Sequence, residues 1–298
     1  MTELTFTLPD GRTLGYALYG SADGWPVLYF HGTPSSRLEV QLLYQYKINV
    51  EQYLREAGLQ LIAVDRPGMG LSHFNPQGTF ISFSDDVHFL VQSLGIQHCS
   101  VLCWSGGGPY ALAMAWRHPS IIKNVFILCA FSRRFSSDML REINAARWYF
   151  RTARYAPWLL EACMNVGRKM NKSKSLPQWL TGLPDADYRL TEDPAHFKAL
   201  TTLTFREACR VSAKGAVHEA RLYFNDFGFK LSDIQQPVHY WWGTEETTIH
   251  HLHAETVEQQ VKNHVLHYKE GEGHLSLYIY FFTEALQMIR RMLPKGTS

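Results

Sequence analysis

The stretch "VLCWSGGGPYAL", residues 101–112, joins an apolar run typical of a buried strand to a run that can form a helix. Ser105 stands at the junction, and three glycines follow it. A strained strand-to-helix turn of this kind presents a nucleophile in the pattern G-x-S-x-G. Here Cys103 replaces the first glycine, so Ser105 is either a nucleophile or a small residue in a glycine-rich connection. A phosphate-binding loop is excluded because no Lys-Ser or Lys-Thr follows the glycines.

Composition indicates a soluble globular protein. The 298 residues can bury a large core without disulfides or metals. With 29 basic and 27 acidic residues, net charge gives no support for a nucleic-acid partner. Five cysteines, an odd number without C-x-x-C spacing, favour a reducing cytoplasm. The N-terminus lacks the pattern of a secretory signal, and no apolar run reaches the roughly 20 residues of a membrane span.

Short apolar runs alternate with helix-like segments in two parts of the chain, 1–130 and 233–298. This alternation predicts an α/β fold, with a mostly parallel sheet covered by helices on both faces. A hairpin is expected first, since two alternating runs flank Pro9-Asp10-Gly11. Ser84 is a candidate N-cap for the helix "SFSDDVHFLVQSLG". Residues 131–232 have a helical pattern without a clear strand, and we interpret them as an insertion.

Polar residues end several of the predicted strands, where open sheets of this kind bind ligands. They are His31, Asp65 and Ser105. Asp65 opens the segment "DRPGMGLS"; a catalytic role is open, and pairing with local backbone or Arg66 is the preferred interpretation.

A serine nucleophile needs a base, an acid that orients the base, and donors for the oxyanion. His274 is the candidate base because it follows the last strand, whereas His264 and His267 precede it or lie within it. The acid should follow the preceding strand, where Glu245 and Glu246 stand and residues 237–260 hold no aspartate. Register favours Glu246, and a solvated acidic loop is the alternative.

Three histidines in "HHLH", His250, His251 and His253, raise the question of a zinc site. No companion ligands lie at a spacing typical of such sites, so we interpret them as a helix start and expect no metal.

Four segments, "HGTPSS", "DRPGMGLS", "CWSGGGP" and "GEGHLSL", resemble those of the α/β-hydrolase fold family, in the same order and over nearly the whole chain. The resemblance implies a core of residues 1–130 and 233–298 with a helical cap at 131–232. It implies the nucleophile, acid, base order Ser105, Glu246, His274, and an oxyanion hole from the N–H groups of Thr33 and Gly106. His31 would support the loop. The chain departs from the family at Cys103 and at Glu246, where aspartate is commoner.

The function expected from this resemblance is a serine hydrolase, esterase-like, that cleaves an acyl bond of a small hydrophobic substrate through a Ser105 acyl-enzyme without a cofactor. Amides, thioesters, lactones and carbon–carbon bonds remain open as substrates. A serine nucleophile argues against dehalogenase and epoxide hydrolase chemistry. A non-catalytic binding protein and cofactor-free oxygen or peroxide chemistry are the alternatives.

Aromatic and basic residues are concentrated in the insertion. Aromatic residues of the cap would line an apolar cleft if they face inward, and otherwise form the core of the cap: Trp148, Tyr149, Phe150, Tyr155, Trp158 and Trp179. Residues 131–174 hold ten basic and three acidic residues, with Arg147, Arg151 and Arg154 on one helical face. We interpret this as a solvated cationic face; an anionic substrate or a membrane surface is the alternative. The sequence makes no prediction of oligomeric state.

Overall fold

A computed structural model of the protein describes residues 2–170 and 177–293. One eight-stranded sheet has the order β1-β2-β4-β3-β5-β6-β7-β8. The strands are β1 (Thr2–Thr7), β2 (Thr13–Gly20), β3 (Trp25–Phe30), β4 (Leu59–Val64), β5 (Cys99–Ser105), β6 (Ile122–Ala130), β7 (Val238–Gly243) and β8 (His264–Lys269). The predicted hairpin is present as the antiparallel pair β1 and β2. Strand β2 is also antiparallel to β4, and all other pairs are parallel, which confirms the predicted fold class.

Helices connect the strands and fill the insertion. They are α1 (Leu42–Gln45), α2 (Val50–Glu56), α3 (Phe80–Ser93), α4 (Gly108–Arg117), α5 (Ser137–Glu142), α6 (Arg147–Tyr155), α7 (Pro157–Gly167), α8 (Gln178–Thr181), α9 (Asp185–Glu192), α10 (Pro194–Thr201), α11 (Lys214–Leu222), α12 (Leu252–Gln260) and α13 (His274–Met292). Every residue of β5 is buried, as expected for a central strand covered on both faces. None of the described helices is both long and apolar enough to cross a membrane.

The N-cap of α3 is Thr79, so the prediction of Ser84 was wrong. Thr79 and Ser82 cap one another reciprocally, and Thr79 lies five residues before the predicted N-cap. Phe80 and Phe83 are buried, and their packing extends the helix toward its N-terminus. Ser84 lies inside the helix, where its hydroxyl donates to the carbonyl of Ile81 at 2.7 Å.

Between β6 and β7 the described residues form helices α5 to α11 and no strand. We call the described part of residues 131–232 the cap. It packs on the core through aromatic contacts, since Phe227 packs edge-on against Phe80 of α3 with ring centroids 4.7 Å apart. The division into core and cap at 130 and 233 stays a prediction.

Only some of the cap's aromatic side chains face inward. Phe150 is buried and packs edge-on against Phe131, and Tyr149 is half-buried. Trp148, Tyr155 and Trp158 neither line a cleft nor form the core of the cap, because they are 59%, 64% and 72% exposed. The side chain of Trp179 lies outside the described residues.

Two of the three arginines expected on one face of α6, Arg151 and Arg154, are exposed, and Arg147 is half-buried. Residues 172 and 174, which contribute to the basic excess, lie outside the described residues.

Candidate active site

Ser105 ends β5 in a left-handed backbone conformation, with φ of +53°. Non-glycine residues adopt such angles rarely, and they do so mostly where the surrounding structure enforces them. The N–H of Gly107 donates to the carbonyl of Trp104 at 2.8 Å and closes the turn, after which α4 begins at Gly108. The junction between β5 and α4 is therefore a sharp strand-to-helix elbow.

Cys103 fits beneath this elbow because glycine stands opposite it. A Cβ atom on Gly107 would lie 2.2 Å from the carbonyl oxygen of Phe30 and 3.0 Å from Cβ of Cys103. A Cβ atom on Gly108 would lie 2.1 Å from the carbonyl oxygen of Phe131. The close approach of α4 to the sheet thus depends on Gly107 and Gly108, and a small side chain at position 103 does not prevent it.

His274, the first residue of α13, lies against the elbow. Its Nε2 is 2.8 Å from Oγ of Ser105. The indole N–H of Trp104 donates to the carbonyl of His274 at 3.1 Å, and the two rings lie 5.1 Å apart. Ser105 and His274 are only 5% and 6% exposed, so the pair is largely shielded from water.

Glu246 follows β7 and reaches the other side of the imidazole, with Oε2 2.6 Å from Nδ1 of His274. Its Oε1 accepts hydrogen bonds from the backbone N–H groups of Thr248 and Ile249. Glu245 is exposed and makes no such contact. The structure therefore brings Ser105, His274 and Glu246 together in one hydrogen-bonded line.

Two opposing effects set the pKa values of His274 and Glu246. Burial disfavours the charged form of each group, and the attraction between the two charges favours it. Burial alone would lower the pKa of His274, but the Glu246 carboxylate, together with Asp187 and Glu39, outweighs this effect, so that pKa lies above its ordinary value. Burial would raise the pKa of Glu246, but His274 and the hydrogen bonds from Cys129 and Ile249 bring it below its ordinary value. Glu246 is held as a carboxylate, which suits a group that stabilises an imidazolium.

Cys129, near the end of β6, donates its thiol hydrogen to Oε2 of Glu246 at 2.7 Å. Burial, followed by the negative charge of Glu246, raises the pKa of this thiol well above its usual range. Among the described residues, Cys129, Glu246 and His274 form the one group of three side chains with donor atoms close enough to hold a metal ion. All three donor atoms are already used in the hydrogen bonds above.

The histidines considered for zinc have other partners. Nε2 of His250 lies 2.7 Å from Oε2 of Glu142, and Nδ1 of His253 accepts the backbone N–H of Ser132 at 3.1 Å. His251 is exposed. They therefore contribute to local structure.

The two expected oxyanion donors lie beside each other. A Cβ atom on Gly106 would be 2.7 Å from Cβ of Thr33, so the loop after β3 adjoins the elbow. Among residues 2–170 and 177–293, no protein acceptor is found for the N–H of Thr33 or of Gly106. Both groups are available to a ligand oxygen next to Ser105.

Arg66 holds the loop that carries Thr33. Its buried guanidinium donates to the carbonyl oxygens of His31 and Gly32, the latter at 2.7 Å. The N–H of Gly32 donates to both carboxylate oxygens of Glu39 at 3.0 Å. Burial lowers the pKa of His31 well below its ordinary value, so the ring is neutral, and its Nδ1 lies 2.8 Å from the carbonyl oxygen of Gly32 in the same loop.

The cap completes this network. Glu219 of α11 forms a buried ion pair with Arg66. The hydroxyl oxygen of Tyr223 lies 2.9 Å from two acceptors, Oε1 of Glu219 and the carbonyl oxygen of Gly106. Cap and core thus share the hydrogen bonds that hold the oxyanion donors.

Asp65 forms hydrogen bonds with the loops around it. Its carboxylate accepts the N–H of Leu71 at 2.9 Å and two bonds from Arg37, one of them from the backbone. The expected pairing with local backbone is present, but the ionic partner is Arg37 because Arg66 is directed to Glu219.

Several residues of the site had no signal in the sequence. Cys129, Glu219 and Tyr223 reach it through contacts over more than 100 positions of the chain, with separations of 117, 153 and 117 residues. Asp187 of α9 accepts the backbone N–H of His274 at 2.7 Å. Only Arg66 lay in a segment already singled out, next to Asp65.

Comparison with known proteins identifies the family of the chain. A model of the alpha/beta hydrolase fold family matches residues 26–279. The chain belongs to this family. An esterase from Rhodococcus sp. ECU1013 shares the fold with a TM-score of 0.68 and 18% identity, over 99% of this chain and 100% of that one.

Curated relatives are similar over shorter segments. A serine hydrolase-like protein of Danio rerio is 28% identical over 130 residues, 43% of this chain and 37% of that protein. An sn-1-specific diacylglycerol lipase of Xenopus tropicalis is 28% identical over 111 residues, 37% of this chain and 33% of the lipase. The chain spans less than two fifths of the length of these relatives.

Proposed function

We propose that this α/β-hydrolase is a serine hydrolase that cleaves an ester or related acyl bond through an acyl-enzyme on Ser105. One observation carries the proposal: Oγ of Ser105, the imidazole of His274 and the carboxylate of Glu246 lie in one line of hydrogen bonds at 2.8 and 2.6 Å. This is the arrangement that activates a serine hydroxyl.

The reaction begins when Oγ of Ser105 attacks the substrate carbonyl carbon and Nε2 of His274 takes the hydroxyl proton. The carbonyl oxygen becomes an oxyanion, which the N–H groups of Thr33 and Gly106 stabilise. When the tetrahedral intermediate collapses, His274 gives its proton to the leaving alkoxide, and the acyl group remains on Ser105.

Deacylation repeats these steps with water. His274 accepts a proton from the water as the water oxygen attacks the acyl carbon, and it then returns a proton to Oγ of Ser105. The acid product leaves and the enzyme is restored. Glu246 keeps the imidazole in place and stabilises its protonated form throughout.

The surroundings of the elbow support a small hydrophobic substrate. Trp104 packs on His274, and Phe131 donates its backbone N–H to the carbonyl of Ser105 while stacking on Tyr223. The apolar, shielded position of the hydroxyl favours acyl groups that lose little hydration on binding. The hydrolase and lipase activities in the names of the curated relatives agree with acyl chemistry.

The test is hydrolysis of p-nitrophenyl esters of increasing acyl length by the native protein, Ser105→Ala and His274→Ala. We expect turnover by the native protein, best with short or medium acyl chains, and a loss of about 10⁴-fold or more in kcat for each variant. Equal hydrolysis by native protein and Ser105→Ala would refute the proposal. Tight binding of an ester without turnover would favour a binding protein instead.

A further inference from the structure

Asp187, in cap helix α9, lies against the first turn of α13 in the core. Its Oδ2 accepts the backbone N–H of His274 at 2.7 Å. Its Oδ1 accepts the N–H groups of Leu275 and Ser276 at 3.0 and 2.8 Å. The residue is fully buried. A single carboxylate from the cap thus takes three consecutive N–H groups at the start of the helix that begins with the candidate base.

The first turn of a helix leaves N–H groups without partners, and the N-cap side chain usually accepts one of them. The N-cap of α13 is Gly273, which has no side chain. A Cβ atom on Gly273 would lie 2.6 Å from both carboxylate oxygens of Asp187. Glycine at this position therefore lets the carboxylate approach, and Asp187 supplies from the cap the acceptor that the N-cap lacks.

We propose that Asp187 is a positioning residue for His274, which holds the imidazole between Glu246 and Ser105 by fixing the first turn of α13. This inference rests on the proposed function, since positioning matters only if His274 is the base. The hydrogen bonds to Glu246 and Ser105 orient the imidazole ring, but neither of them involves the backbone of His274. Asp187 holds that backbone directly, because it accepts the N–H of His274.

Charge adds a second effect. Three carboxyl groups act on His274 in their ionised forms: Glu246 after β7, Asp187 from the cap and Glu39 after β3. Burial raises the pKa of Asp187 above its ordinary value and that of Glu39 to about 7. Each of them favours the protonated imidazole and opposes the effect of burial. The thiol of Cys129 faces Glu246 rather than His274 and is neutral. Removing the charge of Asp187 should therefore lower the pKa of His274.

The same contact links the cap to the chemistry. Asp187 belongs to α9, whereas Glu246 and Ser105 belong to the core on either side of the cap in sequence. If α9 moved away from the core, the three N–H groups in the first turn of α13 would lose the carboxylate that accepts their hydrogen bonds. Correct placement of His274 is therefore coupled to the seating of α9 on the core.

The test compares Asp187→Asn with Asp185→Asn, a change of the same type at an exposed position in the same helix. Asparagine keeps the size and one accepting oxygen but loses the charge. We expect Asp187→Asn to lower kcat for a p-nitrophenyl ester about 10-fold with little change in KM. The acid limb of its pH profile should move to lower pH by about half a unit or more, while Asp185→Asn matches the native protein.

A second readout does not depend on turnover. The His274 imidazole is titrated by NMR in native protein and in Asp187→Asn, with His274→Gln used to assign its signal among the 14 histidines. A lower pKa in Asp187→Asn supports the inference. An unchanged His274 pKa together with unchanged kcat would overturn it, even if the melting temperature falls. The proposed function would be refuted instead if Asp187→Asn shows the lower His274 pKa but the native protein hydrolyses no ester and reacts with no serine-directed probe.

Discussion

The carboxylate of Glu246 bridges a loop and a base: Oε2 lies 2.6 Å from Nδ1 of His274, while Oε1 accepts backbone N–H groups from Thr248 and Ile249. In the proposed mechanism Glu246 takes the place of the aspartate that is commoner in this family. The loop after β7 holds its longer side chain through Oε1, the oxygen that does not face His274. Both oxygens have partners, so the geometry of the acid is fixed.

Replacing Glu246 with glutamine should lower kcat/KM for a p-nitrophenyl ester by about 10²- to 10⁴-fold, because the neutral amide no longer stabilises the imidazolium. Steady-state kinetics measure the effect. The control is Glu245→Gln, which changes an exposed neighbour and should leave kcat/KM within about twofold of the native value. A large loss in Glu245→Gln and a small one in Glu246→Gln would move the acid by one position.

The thiol of Cys129 should contribute through Glu246. Cys129→Ser keeps a hydrogen-bond donor, whereas Cys129→Ala removes it and leaves the buried carboxylate with one partner fewer. A hydrogen bond to a charged group contributes about 1.5 kcal/mol, so we expect kcat of the alanine variant to be about 10-fold below that of the serine variant. Equal kcat values for the two variants would show that the thiol does not support the acid.

The pH dependence follows from the base. His274 must be neutral to accept the Ser105 proton. Its pKa is raised above its ordinary value because Glu246, together with Asp187 and Glu39, outweighs the effect of burial. We therefore expect kcat/KM to rise with pH through a single ionisation above 6.5 and then to level off. In Glu246→Gln the residual activity should show this ionisation at lower pH, since the anion that favours the proton is gone. A shift to higher pH would contradict the assignment.

Gly106→Ala tests the oxyanion hole. The added Cβ would lie 2.5 Å from the hydroxyl oxygen of Tyr223 and 2.7 Å from Cβ of Thr33, so the two donors must separate. Loss of one oxyanion donor costs about 10²- to 10³-fold in kcat, and we expect a loss of that order with a smaller change in KM. Gly167→Ala is the control, because its Cβ would be 3.5 Å from its nearest neighbour. Native kcat in Gly106→Ala would contradict the placement.

The sequence was sufficient where the determinants are local. Apolar runs, turns and strand ends predicted the sheet and the positions of Ser105 and His274, because each depends on residues next to it in the chain. Glu246 could be favoured over Glu245 by register alone, since adjacent positions in a loop have side chains in different directions.

Contacts of the cap could not be predicted in this way. Asp187 and Glu219 reach the site only when the cap folds onto the core, and no local pattern marks a carboxylate that accepts a distant N–H. The orientation of the aromatic residues could not be predicted for a related reason. Composition does not distinguish the inner from the outer face of a helix, and Trp158, a candidate for the cleft or for the core of the cap, lies 72% exposed. The N-cap of α3 at Thr79 depends on burial of Phe80, which propensity alone does not show.

The most direct test of the account is reaction with a fluorophosphonate, followed by mass spectrometry of the peptides. The native protein should carry one phosphonyl group on the peptide that contains Ser105. Ser105→Ala should remain unlabelled, while Cys163→Ser, which changes an exposed thiol, should label as the native protein does. An unlabelled native protein, or a phosphonyl group found elsewhere and retained in Ser105→Ala, would contradict the assignment of Ser105 as the nucleophile.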